Sequence, residues 1–102
     1  DMIIRGGENI SPEEVENALY SHPKVEEAAV IAVPDPEWGQ IPKAIVVLKK
    51  GETSTEEEIM EHCRAKLASF KRPRSVVFVD ELPRNTLGKV LKKQLRETYG
   101  QA

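Results

Sequence analysis

The spacing of hydrophobic positions changes along the chain, and these changes predict three helices and three main strands. The first helix begins at a capping sequence over residues 11–14 and continues through an apolar stripe between 15 and 19. It is expected to end near His22, because Pro23 disfavours helical geometry in the residue before it. A second capping sequence over residues 55–58 opens another helix.

The buried side of this second helix is predicted from Ile59, Cys63 and Leu67, which recur at helical spacing. Cys63 is therefore interpreted as a packing residue, and as the single cysteine it forms no internal disulfide. His62 lies beside the stripe and is expected to be solvated. The third helix is predicted over residues 90–99, where a short apolar side opposes a basic one.

Three apolar runs predict the main strands. Residues 25–33 begin polar and become continuously apolar, as in a central strand. Residues 41–48 and 75–79 form the other two runs. At the N-terminus, a short strand is expected over residues 1–5, followed by a turn at 6–9.

This order of elements predicts an α+β fold, in which a small sheet of about three main strands plus a short N-terminal strand or hairpin packs with three helices. A chain of 102 residues is the size of one domain and buries a modest core without disulfides. Its 39% hydrophobic and 31% charged content is typical of a soluble globular domain. No apolar run approaches the roughly 20 residues that span a bilayer, so stable membrane insertion is not expected.

The net charge of −2 conceals an uneven distribution along the chain. Residues 1–69 carry 7 basic and 14 acidic side chains, whereas residues 70–102 carry 8 basic and 3 acidic ones. A basic terminal third on an acidic body favours binding of an anion, either nucleic acid or a nucleotide phosphate. The two histidines and the cysteine form no metal-binding pattern, so no metal ligand is assigned.

The segment over residues 82–89 is the strongest candidate for chemistry. It combines Pro83, a turn-forming Asn-Thr pair and Gly88 directly before Lys89. The segment has no apolar side and is predicted to be a surface loop, from which Lys89 reaches beyond its own domain. It is not a Walker loop, because Pro83 replaces the required glycine and Val90 replaces the serine or threonine.

Two other segments admit two interpretations each. Gly6 and Gly7 are typical of a tight turn, and also of a backbone that approaches a ligand closely. Residues 70–74 combine an aromatic ring with three cations, as in a solvated loop with one ring tucked in or in a surface for an anion and a nucleobase. The sequence contains no self-contained active site, so Lys89 is expected to act on chemistry assembled elsewhere.

Four segments occur in an order and spacing that resembles the C-terminal domain of the adenylate-forming enzymes, specifically the acyl-CoA synthetases. They are residues 6–16 (GGENISPEEVE), the PD and WG pairs within 34–39, residues 70–73 (FKRP) and residues 82–89 (LPRNTLGK). The resemblance covers essentially all of residues 1–102 and implies a C-terminal lid domain, with the N-terminal ATP- and acid-binding domain absent. Within the family the chain is most similar to fatty-acyl-CoA ligases, with aryl-CoA ligases close behind.

The resemblance implies a reaction in two steps. A carboxylate attacks the α-phosphate of ATP to give acyl-adenylate and pyrophosphate, and after the lid rotates the thiol of coenzyme A displaces AMP. Lys89 matches the catalytic lysine of the first step. Its compact ammonium suits the negative charge that builds on the carboxylate and α-phosphate oxygens.

The second step is assigned by the resemblance to another side of the domain. Gly6, Gly7 and Glu8 match the loop that lines the pantetheine tunnel. Aromatic rings suit adenine, and guanidinium groups suit phosphate. The positions that match contacts to the nucleotide end of coenzyme A in some aryl-CoA ligases are Trp38, Phe70, Arg72 and Arg74.

The implied cofactors are coenzyme A and ATP with Mg²⁺, the last two bound mainly by the N-terminal domain. The implied partners are that N-terminal domain of the same enzyme, the carboxylic acid, coenzyme A and a lysine acetyltransferase that modifies Lys89; nucleic acid is not expected. The family's hinge residue falls just before Asp1, so the chain is expected to be a cytoplasmic fragment that is inactive by itself.

Two alternatives remain open. In the first, the thiol belongs to the pantetheine of a carrier protein, and activity depends little on the two CoA-matching arginines. In the second, the domain is a non-catalytic module whose basic third holds nucleic acid or another anion. Its binding would then be sensitive to salt and spread over Lys92, Lys93 and Arg96, with Lys89 unimportant.

Overall fold

The computed structural model describes residues 2–101, and Asp1 and Ala102 lie outside the described residues. Within this range the predicted α+β fold is confirmed, as a five-stranded sheet with three α-helices. The strands are β1 (Ile3–Arg5), β2 (Glu8–Ile10), β3 (Val25–Asp35), β4 (Gly39–Leu48) and β5 (Ser75–Phe78). The helices are α1 (Pro12–Tyr20), α2 (Glu56–Lys66) and α3 (Lys92–Tyr99), with a 3₁₀ turn over Ser69–Lys71.

Strand β4 is the centre of the sheet. Strand β3 runs antiparallel along one side of it, and β5 runs parallel to its residues 43–46 on the other. The β1–β2 hairpin joins the sheet where Arg5 pairs with Gly39, at the start of β4. The hairpin is therefore attached next to the turn that connects β3 to β4.

The apolar run at 25–33 was expected to form a central strand, and this expectation is wrong. Among the described strands, β3 pairs with β4 alone, yet both of its sides are covered by other elements. A continuous apolar run indicates that both sides of a strand are buried, and it does not indicate how many strands pair with it. The strand also continues to Asp35, because Pro34 pairs with Gln40 at an edge position where its missing N–H does little harm.

Two apolar cores lie on opposite sides of the sheet, because successive side chains of a strand point in opposite directions. The core beneath α1 and α2 includes Val15, Leu19, Val30, Val46, Ile59 and Cys63. The core beneath α3 includes Ala29, Ile31, Ile41, Ile45, Leu82 and Leu95. Burial raises the pKa of the Cys63 thiol to about 11, and its interpretation as a packing residue is confirmed.

Both predicted helix starts are capped by side chains. The Ser11 hydroxyl accepts the N–H of Glu14 at 3.4 Å, and the Thr55 hydroxyl accepts the N–H of Glu58 at 3.1 Å. Each bond satisfies one of the N–H groups that a helix leaves without an internal partner. The Glu14 carboxylate pairs with Lys71, so it ties α1 to the 3₁₀ turn.

His62 was expected to be solvated, and it is instead half-buried between two helices. Its Nε2 lies 2.8 Å from the Ser21 hydroxyl and 3.1 Å from the carbonyl oxygen of Ala18. Its ring meets His22 edge to face, with ring centroids 4.8 Å apart. Burial lowers the pKa of His22, and the charge that His62 can carry lowers it further. Both histidines therefore serve the packing of α1 against α2.

The remaining differences lie at the ends of elements. The third helix was expected from residue 90 but begins at Lys92, because Val90 forms an isolated bridge with Arg84. The basic segment at 70–74 includes the last two residues of the 3₁₀ turn, which ends at Lys71. Across residues 2–101, the helices are all too short or too polar to span a bilayer.

Candidate functional site

The loop that carries Lys89 projects from the domain, and contacts within the domain close its base. Leu82 is buried in the core beneath α3, and this anchors the beginning of the loop. The isolated bridge between Arg84 and Val90 and the hydrogen bond from the Leu91 N–H to the Pro83 carbonyl at 2.9 Å close its base. The prediction of a surface loop is confirmed, except that Leu82 belongs to the core.

Asn85 organises the tip of this loop. Its side-chain carbonyl accepts the N–H groups of Leu87 at 2.9 Å and Lys89 at 3.0 Å. Its own N–H donates to the Lys89 carbonyl at 3.0 Å, and its carbonyl accepts the Gly88 N–H at 3.0 Å. Gly88 has a φ of 86°, which a side chain would strain. The backbone of Lys89 is therefore held in place before any ligand arrives.

The Lys89 side chain is exposed, and its ammonium forms no ion pair or hydrogen bond with the rest of residues 2–101. It borders an open depression of about 660 Å³ at the outer edge of β3. The other charged groups that line this depression are Glu16, Arg84, Lys92, Lys93 and Arg96.

Among the described residues that line this depression, cations outnumber the one carboxylate, Glu16. Glu16 is engaged within the fold, because its carboxylate lies 2.6 Å from the Lys92 ammonium and accepts the N–H of Val30 at 2.9 Å. An excess of positive charge in a concave surface attracts anions. The arrangement fits a phosphate-bearing ligand that approaches Lys89.

The Gly6–Gly7 turn lies against Trp38. The Gly6 N–H donates to the Trp38 carbonyl at 2.8 Å, and a Cβ added to Gly6 would lie 2.7 Å from Cε3 of the Trp38 ring. Both glycines have positive φ, 55° and 87°. The turn interpretation is thus confirmed. The structure also brings together Gly6 and Trp38, two residues that the resemblance assigned to coenzyme A.

Arg5 and Asp35 complete this second region. Asp35 belongs to the PD pair of the family resemblance but was assigned no role from the sequence, and Arg5 was not singled out. The Arg5 guanidinium lies 4.0 Å from the centroid of the Trp38 ring, in a cation–π contact. The Asp35 carboxylate accepts the Trp38 N–H at 2.9 Å and lies 3.9 Å from Arg74. An aspartate at the end of a strand and three residues before an aromatic residue was the available signal.

Phe70 and Arg72 have different surroundings. Arg72 donates to the carbonyls of Leu67 at 3.0 Å and Arg64 at 3.2 Å, where α2 ends. A cation at this position satisfies free carbonyls and complements the helix dipole. Phe70 packs half-buried against the core beneath α1 and α2. The structure therefore groups Arg74 with Trp38 and gives Arg72 partners within the fold.

The chain offers donors for phosphate more readily than ligands for a metal. Among residues 2–101, no group of three or more His, Cys, Asp or Glu side chains could hold a metal ion. The exposed cations around Lys89 suit anionic oxygens.

Comparison with known proteins gives a consistent family. The family described as "AMP-binding enzyme C-terminal domain" matches residues 14–89. The chain is 56% identical over 99 residues to a 2-methylpropanoate–CoA ligase from Humulus lupulus, covering 95% of the chain and 18% of that protein. It is 51% identical over 108 residues to the peroxisomal benzoate–CoA ligase from Arabidopsis thaliana, covering 95% of the chain and 19% of that protein.

Solved structures agree with this result. ATP-bound MatB from Rhodopseudomonas palustris superimposes with a TM-score of 0.93 at 46% identity, over 98% of this chain and 20% of that one. A fatty acyl CoA synthetase from Mycobacterium tuberculosis superimposes with a TM-score of 0.90 at 49% identity, over the same shares. The chain thus spans about a fifth of the length of the proteins it matches.

The contact between Gly6 and Trp38 leads to a prediction. Gly6→Ala is expected to destabilise the domain more than Gly7→Ala, because both strain a positive φ but only Gly6→Ala also collides with the Trp38 ring. The cost should be about 1–3 kcal/mol for Gly6→Ala and about 1 kcal/mol for Gly7→Ala.

Urea unfolding measures the loss of stability in each variant. Trp38 is the single tryptophan of the chain, and its fluorescence reports on its surroundings. The emission of the folded Gly6→Ala variant should shift, whereas that of Gly7→Ala should match the unmodified chain. Equal unfolding energies and unchanged emission in both variants would contradict the assigned contact.

Proposed function

The chain belongs to the family of AMP-binding enzyme C-terminal domains, and we propose that it is the mobile lid of an ATP-dependent, AMP-forming acyl-CoA synthetase. One observation carries the proposal: the Lys89 ammonium is exposed, and Asn85 holds the backbone of the loop that bears it. Within residues 2–101 this ammonium has no ion pair or hydrogen bond, and a free charge on an ordered loop is suited to a reaction centre on another part of the protein. That part is the N-terminal domain, for which relatives about five times as long leave room.

In the first step Lys89 stabilises charge. A carboxylate oxygen of the acid attacks the α-phosphorus of ATP, the bond to pyrophosphate breaks, and negative charge builds on the oxygens between them. The Lys89 ammonium donates to these oxygens, and the ordered loop supplies the donor without reorganisation during the reaction. ATP and Mg²⁺ would be bound mainly by the N-terminal domain, and the metal ion would neutralise phosphate charge there.

In the second step the lid presents its Gly6–Gly7 side. The two glycines and Glu8 lie along the pantetheine chain of coenzyme A, and Trp38 and Arg74 lie towards its nucleotide end. Arg74 supports this role with a guanidinium that is 53% exposed. Phe70 and Arg72 complete the nucleotide contacts, and Arg72 must first leave the carbonyls that it caps at the end of α2. The thiolate then displaces AMP from the acyl-adenylate.

The acid is proposed to be a fatty acid, by resemblance. The relatives' names cover 2-methylpropanoate, benzoate and fatty acyl groups, so this small domain does not distinguish them by itself. Pyrophosphate release from the full-length enzyme with fatty, aromatic and branched acids identifies the substrate. The cytoplasmic location stays a prediction, and two plant relatives are named as peroxisomal.

Lys89→Ala in the full-length enzyme is expected to lower pyrophosphate release from acid and ATP by about 10²–10³, because it removes a donor aimed at the developing charge. Formation of acyl-CoA from supplied acyl-adenylate should be retained, since it uses the other side of the lid. Lys50→Ala, at an exposed lysine in the turn after β4, is the matched control and should leave both rates unchanged.

Either of two results would contradict this role for Lys89. Equal rates in the variant and the unmodified enzyme would show that Lys89 is not needed, and would favour an anion-binding module. Loss of both half-reactions with an unchanged circular dichroism spectrum would show that the two steps are not divided between two sides of the lid.

A lysine acetyltransferase is proposed to act on Lys89, whose exposed ammonium is free of ion pairs within residues 2–101. Acetylation removes the positive charge and should block adenylation while sparing thioester formation. Peptide mass spectrometry of the enzyme from cells measures the fraction of Lys89 that is acetylated. Deacetylation in vitro should restore pyrophosphate release in proportion to the fraction of Lys89 that is freed. Enzyme that is fully acetylated at Lys89 and fully active would contradict the proposal.

A further inference from the structure

The Lys89 loop is tied to strand β3 by one side chain. Arg84 donates through one terminal nitrogen to the Gly88 carbonyl at 2.6 Å and through the other to the carboxylate of Glu27. Gly88 directly precedes Lys89. One guanidinium therefore connects the tip of the loop to a rigid strand, and the connection runs between residues 57 positions apart in the chain.

A β-bulge directs Glu27 towards the loop. The pairing of β3 with β4 shifts register between Val25 and Glu27. In a regular strand these two side chains would point to the same side of the sheet. Here Val25 is buried in the core beneath α1 and α2, whereas Glu27 reaches Arg84, which follows Leu82 on the opposite side. Bulges commonly re-aim a side chain next to a functional site.

The position of this ion pair limits what it contributes to stability. The side chains of Arg84 and Glu27 are 39% and 28% exposed. Ion pairs with this exposure add little to the free energy of unfolding. The hydrogen bond that Arg84 donates to Glu27 raises the pKa of the guanidinium, which therefore keeps its charge at all working pH values. The main effect of the pair is thus geometric, on the backbone next to Lys89.

We propose that Glu27, acting through Arg84, is a positioning residue that sets where the Lys89 ammonium lies when the lid closes for the first step. The proposal rests on the proposed function, because it needs Lys89 to act in adenylation. Glu27 itself touches neither substrate nor cofactor. Displacement of a catalytic group by about 1 Å can cost up to about 10² in rate, so a loosened loop has a measurable effect.

The test uses the full-length enzyme with Glu27→Gln, which keeps the shape of the side chain and removes its charge. The matched control is Glu26→Gln, at the neighbouring exposed carboxylate. The single-turnover rate of pyrophosphate release should fall about tenfold in Glu27→Gln, with apparent KM values for ATP and acid within about twofold. Acyl-CoA formation from supplied acyl-adenylate should stay unchanged in Glu27→Gln. The Glu26→Gln control should keep the unmodified rates of both pyrophosphate release and acyl-CoA formation.

Arg84→Lys is the second variant. Lysine keeps the positive charge but lacks the planar fork that bridges two acceptors. It should show the same selective fall in pyrophosphate release as Glu27→Gln. Combining the two substitutions should add little further loss, because both remove the same connection. The thermal midpoint of each variant should stay within about 2 °C of the unmodified enzyme.

The outcomes separate this inference from the proposed function. If Lys89→Ala lowers pyrophosphate release and Glu27→Gln does not, the inference is overturned and the function stands. If Glu27→Gln lowers both half-reactions equally, or lowers the thermal midpoint in parallel, Glu27 has a structural role and the inference also fails. If Lys89→Ala has no effect in the same assay, the proposed function itself fails.

Discussion

The hydrogen bonds of the Asn85 side chain are the interaction on which the candidate chemistry depends. One amide carbonyl accepts the N–H groups on both sides of Gly88, and so gives a polar surface loop a defined shape. A lysine on an unordered loop would lose conformational freedom on reaching a transition state, whereas here much of that cost is met during folding. The buried Leu82 and the central strand β4 support the loop from below.

The fold separates two surfaces that share one rigid sheet. The Lys89 depression lies at the outer edge of β3, and the Gly6–Trp38 region lies where the β1–β2 hairpin joins the start of β4. A domain with this layout can present either surface by rotating as a unit, without refolding. The two-step reaction proposed for the parent enzyme requires such an alternation.

Local signals in the sequence predicted the helices and strands well. They did not predict the contacts between residues that are distant in the chain. The caps at Ser11 and Thr55 depend on neighbours three residues away, and both formed as expected. The neighbours of β3, the half-buried state of His62 and the bond from Arg84 to Glu27 depend on residues distant in the chain. No local period encodes such pairs. The roles of Lys89 and of the coenzyme A positions came from the resemblance, and remain proposals.

The most direct test of the central claim replaces and then rebuilds the ammonium at position 89. In the full-length enzyme, Lys89→Cys is alkylated with 2-bromoethylamine, which restores an ammonium at nearly the length of lysine, or with iodoacetamide, which leaves a neutral amide. Cys63 is buried and its pKa is raised to about 11, so it should not compete for the reagent. We predict that pyrophosphate release returns only with the rebuilt ammonium. Recovery with both reagents, or with neither while the fold is intact, would contradict the role of Lys89.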